Sequence, residues 1–126
     1  HVGSDGQAAL GIKDPNRHGF NYPTPPVFTP DRLGQWTHLA VVFDPAADRV
    51  THYVNGDPVF RMAVHAAQPI RFGPAQLGNW NAADRAGYDA QPVRNFTGRI
   101  DEFGLFARPL TDDEVRRHAD AKPPAR

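Results

Sequence analysis

An all-β fold of antiparallel hairpins is what this sequence predicts, and three observations carry it. Residues 36–43 (WTHLAVVF) hold β-branched and aromatic side chains almost without interruption, the composition of a strand covered on both faces and central in its sheet. Residues 49–54 (RVTHYV) alternate small or polar with bulky side chains at the two-residue strand period. Asn55-Gly56 follows, a pair favoured where two consecutive residues take positive φ in a type I′ turn, so a second hairpin leads into 58–64. With Asp44, Pro45 and Asp48 supplying the first turn, three antiparallel strands follow from local sequence alone.

In chain order, residues 1–6 contain a Gly-Ser-Asp-Gly turn and 7–12 (QAALGI) form a short strand. Asp14-Pro15-Asn16 is a turn signal. Residues 22–30 (YPTPPVFTP) carry four prolines; these remove ladder donors, so the segment reads as an extended edge or loop and not as a regular central strand. Thr29 followed by Pro30 predicts one helical turn before Gly34. Beyond the hairpins, 69–72 (PIRF) and 76–80 (QLGNW) are short strand candidates around Gly73-Pro74. Residues 81–95 show no sustained period and exceed the usual connection length, which marks a loop of the kind that carries binding residues. Residues 96–106 read as the last long strand. Thr111 and Glu114 have capping-box spacing, with Asp112 and Asp113 beside the helix N-terminus, so a short helix spans 112 to about 119; residues 122–126 fray.

The 126 residues suffice for one hydrophobic core and one domain, 1–126. Fourteen basic residues balance fourteen acidic ones, without a basic run, which speaks against nucleic acid or an anionic membrane as partner. There is no cysteine for a disulfide framework or thiolate metal site, and no apolar run long enough for a membrane span. The chain begins at His1 without methionine, so a longer precursor is expected, its targeting signal outside this sequence.

Two separated blocks carry a family resemblance: WTHLAVVFD with VTHYVNGDPV, and NFTGRIDEFGLFARPLTDDEV at 95–115. Together they resemble the laminin G-like, concanavalin A-like jelly rolls, whose pattern runs Trp-x-His-apolar-Ala, Tyr-Val-Asn-Gly, Phe-x-Gly-x-Ile-Asp-Glu, then Arg-x-Leu-Thr/Ser before a short helix. The resemblance implies an antiparallel jelly-roll β-sandwich ending in a short helix. Six or seven strands fall short of the dozen such domains commonly have. The chain therefore reads as the C-terminal portion of a LamG-like domain, N-terminally incomplete and expected to self-associate through uncovered surface. LGNWN followed by GRIDEFGLFARPL also resembles modules appended to bacterial FecR-type envelope proteins, which implies an extracytoplasmic location: periplasmic, cell-surface or secreted. The fold hosts lectins, glycosidase appendages, adhesion modules and a few enzymes, so function rests on the site.

Strand alternation across 96–106 places Asp101 on one face with Phe103 and Leu105. A carboxylate among apolar neighbours has to be hydrogen-bonded, paired or metal-bound. Asp101 is thus either held by an arginine or backbone amide or, as in similar domains, a Ca2+ ligand. His38 and His52 share parity along the first hairpin and could be neighbours, but lack a third ligand. Glycoside hydrolysis needs two carboxylates facing one bond. Asp101 and Glu102 face opposite ways and 112–114 cap a helix, so no catalytic residues are assigned and the chain reads as non-enzymatic. For glycan binding the suitable side chains are Asn79, Trp80, Asn81, Asp84, Tyr88 and Arg94, rings on which sugar faces stack beside planar polar groups that take hydroxyls. Asn95-Phe96-Thr97 fits a glycosylation acceptor, a short pattern adjoining a strand. The expectation is a non-catalytic recognition or adhesion module of a larger bacterial envelope or secreted protein, with a glycan or an extracellular protein as ligand. The alternative is a spacer that binds nothing small.

Overall fold

A computed structural model of the chain describes residues 2–3, 5–16, 18–65, 70–71, 77–80 and 94–121, with backbone alone for 79, 80, 94 and 95. The residues group into two units, His1–Ile70 with Leu105–Arg126, and Arg71–Gly104. In the first unit β1 (Gln7–Lys13) pairs antiparallel with β2 (Gly19–Pro26), and β3 (Leu39–Asp44), β4 (Arg49–Val54) and β5 (Asp57–Met62) form an antiparallel sheet in that order. A 3-10 turn spans Pro30–Arg32 and helix α1 spans Asp112–Asp120. The second unit contains β6 (Asn79–Trp80) paired antiparallel with β7 (Arg94–Asn95).

The first unit is organised by β4. Register pairs Val50, His52 and Val54 with Phe43, Val41 and Leu39 on one face, and Thr51 and Tyr53 with Val42 and Ala40 on the other. The first face meets Tyr22 of β2, whose ring lies edge-on to Phe43 at 6.4 Å and whose hydroxyl accepts from the His65 amide at 3.0 Å. The second face meets α1, where the Tyr53 hydroxyl donates to Asp112 at 2.6 Å. Covered on both sides, residues 50–54 are all buried, and Val50 is fully so. Val115 of α1 and Tyr22 complete the buried apolar set.

The Asn55-Gly56 turn forms as expected, with φ of 51° and 84°. Its Asn55 side chain accepts from the His38 amide at 3.0 Å and so extends the β3–β4 pairing by one residue. The helix is capped as predicted: Glu114 N donates to Thr111 Oγ1 at 3.2 Å, and Thr111 N donates to Glu114 Oε2 at 2.9 Å. Helix and sheet are joined through Asp112, which also takes Arg61 Nη2 at 2.9 Å.

Four expectations need correction. The central strand is β4, whereas β3 lies at the edge of its sheet among the described residues, leaving Trp36, Leu39 and Val41 exposed. An apolar run reports composition, but pairing on both sides decides which strand is central. The proline-rich segment is an extended edge strand as far as Pro26, as the sequence reading allowed: an edge position needs few donors, and Thr24 Oγ1 accepts from Ala8 N at 3.0 Å beside a register shift. Residues 96–106 form no strand; pairing stops at Asn95, and Phe96, Ile100, Phe103, Leu105 and Phe106 are exposed. Strand composition without a neighbour to exchange hydrogen bonds does not make a strand. Asp101 consequently has no strand face to share with Phe103 and Leu105, and it is exposed. Finally, the register that sets Val41 opposite His52 puts His38 and His52 on opposite faces of the sheet.

Candidate functional site

The chain's described surface has a pocket of about 230 Å³ on the outer face of the β1–β2 sheet, lined by Gly3, Asp5, Gln7, Ala9, Asn21 and Pro23. Strand alternation builds it. Tyr22 and Thr24 turn inward and are buried, which sends Asn21 and Pro23 outward. Ala9 is the register partner of Pro23 and Gly11 that of Asn21, so small residues form the floor. Gly11 matters here because a Cβ at that position would lie 3.1 Å from Asn21 Oδ1, in the space the carboxamide occupies.

The rim is held by a tight turn. Gly3 N donates to Gln7 O at 2.8 Å, Gly6 N to Gly3 O at 3.1 Å, and Gln7 N to Asp5 Oδ1 at 3.1 Å. Gly6 is buried at φ 79°, and its carbonyl accepts from both Val27 N and Phe28 N at 2.9 and 3.0 Å. A side chain at residue 6 would strike Phe28 O at 2.4 Å, so only glycine lets the turn close against the end of β2. The carboxamides of Gln7 and Asn21 make no hydrogen bond to another described residue. One carboxylate and two amides therefore face a small-residue floor, with acceptors and donors directed at whatever fills the space.

Of the residues proposed from sequence, Asn79 and Trp80 lie on β6 and Arg94 on β7, with Trp80 and Arg94 as register partners. The β6–β7 ladder closes the ends of the connection between them. Asn81, Asp84 and Tyr88 fall outside the described residues. Among the described residues there is no group of three or more His, Cys, Asp or Glu side chains that could hold a metal ion. The pocket residues were missed by sequence reasoning, although the Gly-Ser-Asp-Gly turn and the alternation in NYPTP are both visible there.

A family model described as the concanavalin A-like lectin/glucanases superfamily, Laminin_G_3, matches residues 1–116. The chain belongs to this superfamily. Among solved structures, this superfamily member is similar to an S-layer domain-containing protein (residues 221–444) from Clostridium thermocellum, with 19% identity and a TM-score of 0.58. The alignment covers 95% of this chain and 66% of that one, so the chain spans just under two thirds of the length of its structural relative. At that identity the likeness concerns the fold. No curated protein matches the chain. The paired antiparallel strands and short C-terminal helix are those of a concanavalin A-like jelly roll, and no described helix is long and apolar enough to cross a membrane.

Proposed function

We propose that this chain is a non-catalytic recognition module of a larger extracytoplasmic protein, and that its ligand is a saccharide unit seated on the outer face of the β1–β2 sheet. The observation that carries this reading is the pocket rimmed by Asp5, Gln7 and Asn21. A sugar hydroxyl both donates and accepts; a carboxylate takes its proton while carboxamides serve either role. Asp5 is the sole carboxylate lining the pocket among the described residues, whereas hydrolysis of a glycosidic bond needs two. Binding without turnover is what such a set can do. Asn79, Trp80, Asn81, Asp84, Tyr88 and Arg94 are proposed as a separate contact of the second unit, supported by the pairing of Trp80 with Arg94 on β6 and β7. The S-layer domain-containing protein that shares the fold supports a cell-surface setting.

A glycan array probed with the wild-type chain, followed by calorimetry on a retained saccharide, tests this. Asp5→Asn and Asn21→Ala are each expected to weaken binding about tenfold or more, the loss expected for a hydrogen bond to a charged or buried partner. Retention of no saccharide, or full affinity in both variants, would refute the reading.

A further inference from the structure

Among the described residues the three-stranded sheet ends on β3 and β5, and the two edges differ in character. At β5 the edge is guarded: Pro58 has no N–H, Arg61 is charged and ion-paired to Asp112, and a register shift against β4 falls between His52 and Tyr53. On β2, Pro23, Pro25 and Pro26 lie beside a register shift of their own. β3 has none of these features. Residues 39–43 (LAVVF) contain no charge and no proline, and their register with β4 runs without a shift. A regular, uncharged strand with an open side is the form most ready to pair with another strand. Which backbone groups are open follows from the ladder. Asn55 N donates to His38 O at 2.9 Å, so His38 and Asn55 make a hydrogen-bonded pair and every second residue along β3 repeats it. Ala40, Val42 and Asp44 therefore bond β4, while the N–H and C=O groups of Leu39, Val41 and Phe43 point away from it. Among the described residues these outward groups have no partner. Their side chains lie on the face of Val50, His52 and Val54, and Leu39 and Val41 are 45% and 43% exposed.

We infer that β3 pairs antiparallel with β3 of a second copy, about a two-fold axis at Val41, so that one sheet runs through both copies. The strand is its own complement. Val41 faces Val41 of the other copy and Leu39 faces Phe43, so each outward N–H meets an outward C=O. The Leu39, Val41 and Phe43 side chains of both copies then lie on one face, apolar against apolar. The same register sets Asp44 of each copy opposite His38 of the other, a carboxylate against an imidazole at both ends of the pairing. Centring the pair on Val42 instead sets Leu39 opposite Pro45, which has no N–H to donate. Pairing consumes the β3 edge in both copies, so the assembly closes as a dimer. The inference stands apart from the proposed saccharide site, whose residues lie on β1, β2 and the turn before them.

Sedimentation of the 126-residue chain over a concentration series tests the pairing without any ligand. A monomer–dimer equilibrium is expected; a monomer at every concentration, or an open-ended polymer, would overturn the proposal. Val41→Lys and Val41→Glu each set like charges across the axis and are expected to weaken dimerisation about fivefold or more. Mixed in equal amounts, the two variants face opposite charges and recover it. Val59→Lys, at an exposed position on β5, leaves dimerisation unchanged. Wild-type dimerisation in both Val41 variants, or no recovery on mixing them, would place the contact elsewhere and overturn the β3 pairing. If a Val41 variant fails to fold, amide exchange in the wild type decides alone: the Leu39, Val41 and Phe43 amides gain protection as concentration rises, and unchanged protection contradicts the dimer.

Discussion

Arg108 and Glu114 show how far one pair of side chains can shape an element end. Arg108 Nη1 and Nη2 reach Glu114 Oε2 and Oε1 at 2.8 and 2.7 Å, a two-point clamp on the carboxylate that also caps the helix. That clamp first, and the Thr111 backbone second, hold the Glu114 carboxyl down at about 2 instead of the usual 4.5. A depressed carboxyl contributes above pH 4.5 and loses its contribution as pH falls through about 2. Thr111→Ala removes the hydroxyl that accepts from Glu114 N and is expected to cost about 1 kcal/mol in urea unfolding. An unchanged urea midpoint would mean that the cap adds nothing to the fold. The Thr111–Glu114 cap was legible in the sequence because capping is local, needing only Thr and Glu three residues apart. The partner Arg108 was not, because its reach depends on how residues 109–111 turn.

Elements fared according to how local their causes are. The β3–β4–β5 meander, its Asn55-Gly56 turn and α1 were readable because each is specified within a few residues. The rank of β3 and β4 within the sheet was not readable, since it is set by which strands pair on either side: β4 bonds both β3 and β5, whereas β3 bonds β4 alone among the described residues. Residues 96–106 failed for the same reason: among the described residues the ladder ends at Asn95, with Phe96 N to Gly78 O at 2.7 Å as the last bond toward β6. The second turn also carries tertiary information. A Cβ on Gly56 would lie 3.1 Å from both Ala119 Cβ and Arg116 Cα, and its φ is 84°. Gly56→Ala therefore strains the turn and displaces the helix together, at an expected cost of about 1 to 2 kcal/mol from the left-handed backbone alone. Thermal unfolding checks the total, and amide exchange in α1 checks the helix. A variant as stable as wild type, with α1 equally protected, would show that the helix does not rest on this turn.

Within the first unit, a three-stranded sheet packed between a β-pair and a helix leaves the outer face of that pair to carry the pocket. Tyr22 and Thr24 are committed to the interior, and Asn21 and Pro23, one position away, to the pocket. The strand period thus gives one short segment both a packing role and a place in the pocket wall. Sequence pattern pointed to the fold class and to recognition, but directed attention to 79–95, where aromatic and amide residues cluster in one stretch. The pocket escaped because its rim is assembled from two strands and a turn, Asp5 and Gln7 meeting Asn21 only through the β1–β2 register. The most direct measurement of the central claim is an NMR titration of the isotope-labelled chain with a saccharide retained on the array. The account predicts that amide shifts concentrate at Asp5, Gln7, Ala9, Asn21 and Pro23's neighbours and vanish in Asn21→Ala. Shifts confined to 79–95, with residues 5–9 and 21–24 unmoved, would contradict it.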